Sequence, residues 1–174
     1  MVADGVSVRW AEAEDVPVLA ALGEEAFYSA YAGELAHEPL AAFAARTFDP
    51  ARIVQEMKDQ HGGYLLLEVD GEAAGLAQLR AGQAPDVVSG GEAVELSKIY
   101  LLDKWIGRGL GTRLMEACLN EARRRGYQTL WLGVWERNPR AIGFYEKWGF
   151  AAVGDSVFDF EGERQRDVLM SREI

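Results

Sequence analysis

The sequence predicts an α/β fold built on a mixed sheet, and three observations carry that prediction. Residues 94–126 read as strand, glycine loop and helix in direct succession. Residues 129–135 form a nearly continuous apolar run, the pattern of a strand covered on both faces. Two antiparallel hairpins flank these elements. One joins residues 64–69 to 73–80 through Asp70-Gly71, and the other joins 150–160 to 165–170 through Glu161-Gly162-Glu163. The chain has 174 residues, 49% hydrophobic and 26% charged, which suits one domain over 1–174 with ample core. It shows no internal repeat or low-complexity tract.

In chain order, Val6–Trp10 reads as a first strand. Ala13-Glu14-Asp15-Val16-Pro17 opens a helix, since acids and proline belong in a first turn, and Val18, Leu19, Leu22, Ala26 and Phe27 continue its apolar face. Residues 28–48 are alanine-rich with scattered aromatics and are expected to be helical in part. Asp49-Pro50 is an N-cap and first-turn pair for a helix running to about Lys58, which Gly62-Gly63 ends. Residues 82–91 form a loop, with closure over a substrate as one reading. In the central helix Leu110, Leu114, Met115, Cys118, Leu119 and Ala122 recur at helical spacing as one buried stripe. Arg123, Arg124 and Arg125 suit its C-terminal dipole, and Gly126 its C-cap. Asn138 and Pro139 start the last helix, which Gly149 ends.

Charge and composition exclude several function classes. The net charge of −10 argues against nucleic acid and anionic membrane as partners. Residues 1–60 carry 11 acidic against 4 basic side chains, and residues 61–174 carry 17 against 14. The acidic first third reads either as a solubilising surface or as an attractor for a cationic substrate. Glu24, Glu25, Glu34 and Glu38 are the acids placed to draw one, and Tyr28 and Tyr31 read either as core or as the lining of a substrate pocket. No apolar run is long enough to span a bilayer, and Met1-Val2-Ala3-Asp4 has neither a basic start nor an apolar stretch behind it. The lone Cys118 excludes an internal disulfide, so a cytoplasmic location is expected. His37 and His61 lack ligand-like spacing, and no metal is expected.

The stretch Gly107-Arg108-Gly109-Leu110-Gly111-Thr112 sits where a strand hands over to a helix. A helix N-terminus presents backbone N–H groups without internal partners, and its dipole favours an anion. Alternating glycines let a phosphate approach the backbone, while Arg108 and Thr112 add a charge and a hydroxyl. The dinucleotide pattern G-x-G-x-x-G fails because the third glycine falls one residue early, and the P-loop pattern fails for want of Gly-Lys-Ser/Thr. Taken alone, the loop is equally a structural turn or a phosphate site.

Downstream stands Asn138-Pro139-Arg140-Ala141-Ile142-Gly143-Phe144-Tyr145-Glu146-Lys147-Trp148-Gly149-Phe150. With the glycine loop, this segment resembles the GNAT family of acetyl-CoA-dependent N-acetyltransferases. Gly109 and Gly111 match the family's acyl-CoA loop, with Ile106 standing where Arg or Gln is usual. Asn138, Ala141, Phe144, Tyr145, Gly149 and Phe150 match its second segment. The resemblance covers most of the chain and is loosest over residues 20–62. It implies six or seven strands, mostly antiparallel and flanked by helices, with the central pair splayed to admit pantetheine.

The resemblance also implies roles. Ile99, Tyr100 and Leu101 pair with pantetheine, the backbone from Gly107 to Thr112, Leu110 included, holds pyrophosphate, and Asn138 bonds the pantetheine arm. Tyr145 protonates the departing thiolate, and Glu95 is the candidate base. The implied reaction is direct attack of an amine on the thioester in a ternary complex. An alkyl ammonium has a pKa near ~10.4, so about one molecule in a thousand is neutral at pH 7, a deficit of ~4 kcal/mol that a base offsets. The runs Trp131-Leu132-Gly133-Val134-Trp135-Glu136-Arg137-Asn138 and Gln165-Arg166-Asp167-Val168-Leu169-Met170 look like those of polyamine acetyltransferases of the PaiA type. A small polyamine such as spermidine is therefore the expected acceptor, with Tyr28, Tyr31 and Glu34 as substrate residues and a homodimer as one possible assembly. The alternatives are another amine (an amino acid, an antibiotic or a protein N-terminus) and a non-catalytic acyl-CoA-binding regulatory module.

Overall fold

The computed structural model describes residues 5–174. Met1-Val2-Ala3-Asp4, on which the expectation of no leader rests, lies outside them. Seven strands form one sheet: β1 (Val6–Trp10), β2 (Gly63–Val69), β3 (Glu72–Arg80), β4 (Ala93–Leu101), β5 (Thr129–Trp135), β6 (Ala151–Phe160) and β7 (Glu163–Glu173). Their order is β1-β2-β3-β4-β5-β7-β6. Five helices cover it: α1 (Val16–Tyr31), α2 (His37–Thr47), α3 (Pro50–Glu56), α4 (Leu110–Arg124) and α5 (Pro139–Lys147). The α/β class and the mostly antiparallel seven-stranded sheet agree with expectation.

Within the boundaries there are differences. A short 3-10 turn, Ala13–Asp15, precedes α1, because Glu12 and Asp15 form a capping box there. The alanine-rich stretch splits into the end of α1 and the whole of α2. Helix α3 stops at Glu56, short of Lys58. Asp49 caps α3 through the amide of Ala51 at 2.8 Å, and Asn138 caps α5 through the amide of Ala141 at 3.2 Å.

Two features of the sheet place the site. Among the described residues strands β4 and β5 are the one parallel pair, and they match only at Ala93, Val94 and Glu95 against Thr129, Leu130 and Trp131. Beyond Glu95 each strand runs on without the other, so the sheet is split at its centre. On its other side, β4 carries a bulge. Gln78 matches Lys98 while Leu79 matches Leu96, which leaves Ser97 opposite no residue of β3 or β5. The bulge also resets side-chain parity. Val94, Leu96, Ile99 and Leu101 all join the core beneath α4, while Lys98 and Tyr100 turn to the opposite face.

The sheet separates two apolar cores. On one face Leu114, Met115, Cys118 and Ala122 of α4 pack on Leu65, Leu67, Leu130 and Leu132. On the other, Leu19, Phe27, Leu40, Phe48 and Ile53 from α1 to α3 pack on Tyr64, Leu66 and Leu76. Strand β2 serves both cores by alternation, which explains why Tyr64, Leu65, Leu66 and Leu67 are all buried.

Candidate active site

The split between β4 and β5 opens into a cleft of about 480 Å³. Its walls are the exposed half of β4, the glycine loop, the start of α4, one side of α5 and Tyr31 of α1. Ile99, Tyr100 and Leu101 line it, as do Gly107, Gly109, Gly111 and Thr112. So do Asn138 and Tyr145. Two members of the expected set stand apart. Leu110 turns into the core at 6% exposure, and the Arg108 guanidinium lies 4.9 Å from the ring centre of Trp105. Ile106, more than a third exposed, supplies an apolar stretch of rim.

The start of α4 is shaped for an anion. Gly107 and Gly109 adopt φ of 82° and 76°, a left-handed conformation that a side chain would disfavour. A Cβ on either glycine would meet nothing within 4 Å, so it is backbone shape and not crowding that calls for glycine. Gly109 is the N-cap of α4 and no side chain caps that end. The first-turn amides of Leu110, Gly111 and Thr112 are therefore free for an external acceptor. An uncapped helix N-terminus at one end and a strand freed from its neighbour at the other fit the pyrophosphate and amide-bearing pantetheine arm of an acyl-CoA.

Polar groups cluster where the strands part. Tyr145 is half-buried against Phe144 and Phe150, and loss of water around its phenol pushes the pKa upward. The hydroxyl thus keeps its proton at neutral pH, as a donor must. The half-buried Tyr100 phenol is likewise pushed well up by loss of water. Burial raises the Tyr31 phenol, and hydrogen bonding to Tyr100 and Asn138 works against that shift. Cys118 is fully buried beneath α4 with its thiol pushed up to about 12. It is remote in chemistry from an acyl carrier.

A second cavity of about 200 Å³ lies on the far face of the sheet and shares Tyr31, Ser97, Tyr100 and Gly133 with the first. Sequence reasoning did not single out its one carboxylate, Asp167. Burial, then the nearby Glu95 carboxylate, raises the Asp167 pKa from 3.8 to about 6. Asp167 sits across from Trp135 on β5. Its Oδ2 lies 3.1 Å from where a Cβ of Gly133 would stand, so the missing side chain at 133 makes room for it. The signal available beforehand was faint: one acid in a strand that also carries Glu163, Arg164, Arg166, Arg172 and Glu173.

The other expected residues are placed as follows. Glu95 is gripped by Arg80, at 2.8 Å from Nε and 2.7 Å from the terminal nitrogen, and it lines neither cavity. Tyr28 bonds His37 in a separate hollow between α1 and α2 that also holds Glu24 and Glu25. Glu34 is exposed and meets Arg137 at 3.4 Å. Residues 82–91 line neither cavity, and Val87 among them packs against Gly154 of β6. No helix of the described residues is long and apolar enough to cross a membrane.

A split mixed sheet with a phosphate-ready helix end beside it defines an acyl-CoA-dependent transferase. The model of the acetyltransferase (GNAT) family matches residues 24–150. An uncharacterized N-acetyltransferase of Mycobacterium tuberculosis is 34% identical over 160 residues, covering 92% of this chain and 98% of the relative. Another, from Lactobacillus delbrueckii subsp. lactis, is 29% identical over 170 residues and 98% of both chains. Among solved structures, PaiA N-acetyltransferase from Thermoplasma acidophilum in complex with coenzyme A superposes with a TM-score of 0.77 at 19% identity, over 97% of this chain and 99% of that one. The chain belongs to the GNAT family and is an N-acetyltransferase that uses acetyl-CoA.

Proposed function

We propose that the protein acetylates a small primary amine by direct attack in a ternary complex, with the two nucleotide-side and acceptor-side cavities meeting at the gap between β4 and β5. The observation that carries this reading is that Tyr31, Ser97, Tyr100 and Gly133 line both cavities. An acetyl group entering from one side and an amine entering from the other would face each other there. Acetyl-CoA supplies the acetyl group already activated as a thioester. The chain's own residues bind, orient and move protons.

In this reading the amides at the start of α4 hold the pyrophosphate, and Ile99, Tyr100, Leu101 and Asn138 guide the pantetheine arm. Ser97, unmatched on either side of its strand, offers its amide to the oxyanion that forms on attack. Tyr145 donates the proton that the thiolate needs on leaving. No acyl-enzyme is required, which agrees with the burial of Cys118. Glu95 acts at one remove. Its carboxylate is held by Arg80, and the amine's proton passes to Asp167, whose pKa Glu95 helps to hold up. Replacement by Glu95→Gln should move the acid limb of the rate profile to lower pH.

The charge of −10 supports a cationic acceptor, spermidine among them, and does not choose between cations. The test is acetyl-CoA-dependent thiol release with spermidine, amino acids, aminoglycosides and simple alkylamines. Tyr145→Phe should lower kcat about 100-fold with little change in KM for acetyl-CoA. Acetyl-CoA binding without release on any of these amines would favour the regulatory module or a protein N-terminus.

A further inference from the structure

We infer that the acceptor is a monoamine with an apolar, preferably aromatic, body, and that the aromatic cavity on the far face of the sheet holds this body while Asp167 holds its single ammonium group. The inference rests on the transferase reading above and narrows its acceptor.

The wall of this cavity is mostly aromatic. Phe27, Phe43, Trp135, Phe158 and Phe160 face it, drawn from α1, α2, β5 and the β6 strand. Phe27 stacks on Phe43 at 5.6 Å, and Phe43 meets Phe160 at 5.1 Å. Trp135 is pinned by Tyr31 at 5.7 Å between ring centres and by its own indole N–H, which donates to Gln165 at 3.1 Å. The rings thus form a box held from several elements and not a patch of loose side chains. A cavity of about 200 Å³ exceeds the ~150 Å³ that takes up benzene, so it admits one ring and a few further atoms.

The charges around the box are just as selective. Asp167 is its one carboxylate. Among the described residues no Lys or Arg pairs with it, whereas the nearby Glu95 has Arg80 as its partner. The box therefore offers one negative charge to one ammonium. Arg137 already lies 5.0 Å over Trp135 and Arg46 5.8 Å over Phe43, so the ammonium is drawn by Asp167 and by the remaining rings. A polyamine would bring a second and a third ammonium into the ring-lined space with no carboxylate to meet them, and an unpaired charge in such a place is heavily penalised. The acids that made a polycation plausible lie elsewhere. Glu24 and Glu25 border the hollow between α1 and α2, and Glu34 is engaged with Arg137 at the surface. The free carboxylate of an amino acid would likewise stand beside Asp167, and like charges there repel.

The experiment compares 2-phenylethylamine, hexylamine, phenylalanine and spermidine in two assays run on the same protein: thiol release from acetyl-CoA, and calorimetric binding of each amine in the presence of CoA. The expected result is a kcat/KM for 2-phenylethylamine at least 100-fold above that for spermidine, with hexylamine between them. Asp167→Asn should raise KM for 2-phenylethylamine at least 30-fold and leave KM for acetyl-CoA unchanged, and Asp167→Glu should recover part of the loss. Trp135→Leu should weaken the aromatic amine more than hexylamine. Release with spermidine above the monoamines, or a KM for 2-phenylethylamine indifferent to Asp167→Asn, overturns the inference and keeps the transferase. Binding of 2-phenylethylamine that Asp167→Asn abolishes, without release on any amine, supports the assigned pocket and overturns the proposed acetylation of a small amine. Failure of every monoamine to bind or react overturns the inference.

Discussion

At the scale of single residues, the site turns on two groups whose protons burial has moved in the same direction for different ends. Tyr145 is raised, keeps its proton and can give it. Asp167 is raised only to about 6, so it is ionised at neutral pH yet takes a proton readily. The folded pKa of Asp167 lies above its ordinary 3.8, so its contribution to stability is complete below about pH 4 and is lost as the pH rises through 6. The loss amounts to about 2 kcal/mol once partial exposure is discounted. Urea denaturation at pH 4.5 and pH 7 should show Asp167→Asn gaining on the wild type by more than half of that amount at the higher pH. The acceptor's kcat/KM should fall below pH 6 in the wild type, as the carboxylate protonates. Tyr145 could be read in advance because Asn138, Ala141, Phe144, Gly149 and Phe150 stand at fixed distances from it along one short segment. Asp167 could not, because what makes it special is Gly133 and Trp135 on another strand, and the Glu95 charge on a third.

At the scale of elements, strand, loop and α4 work as one unit, and their reading from sequence was sound because hydrophobic periodicity changes from two to nearly four across three glycines. The glycines do different things. Gly109 needs its positive φ of 76° as the N-cap of α4, so Gly109→Ala strains the backbone by roughly 1–2 kcal/mol. Gly111 lies inside the helix, where a Cβ would come to an ordinary 3.8 Å from Phe144. Gly111→Ala should therefore leave stability unchanged or raise it by up to ~1 kcal/mol, while placing a methyl in the wall of the cleft. Calorimetry should show at least a tenfold loss of acetyl-CoA affinity for both variants, and only Gly109→Ala should also melt earlier. The bulge at Ser97 was invisible in the sequence. One extra residue in a strand changes no composition, and it exists only by reference to the register of β3.

At the scale of the whole molecule, the sheet order β5-β7-β6 could not be read from a chain that presents β6 and β7 as a plain hairpin, since nothing local says which of the two strands docks on β5. Nor did the sequence announce how α3 is tied to the sheet. Lys98, turned to that face by the bulge, lies 94% out of solvent and donates to Gln78 at 2.6 Å. Its Nζ stands 3.6 Å from Glu56 of α3 and 5.8–5.9 Å from the ring centres of Tyr64 and Phe48. Burial lowers its pKa from 10.5 to about 8, with Glu56 opposing the shift. Between those values the unfolded chain binds more protons than the folded one, so stability should rise with pH across that window, by up to ~3 kcal/mol. Tyr64, Tyr100 and Tyr145, whose pKa values are all raised, are held protonated there and do not mask the effect up to about pH 9.5. Lys98→Met should abolish this slope and stay within about 1 kcal/mol of the wild type at pH 7, because Glu56 keeps Arg52 at 2.9 Å and the Tyr64 hydroxyl. Glu56→Gln leaves the ammonium buried without its counter-charge and should cost about 3 kcal/mol. Denaturation series for both variants from pH 7 to 9.5 check the pair, and a slope that survives Lys98→Met would assign the rise to another group.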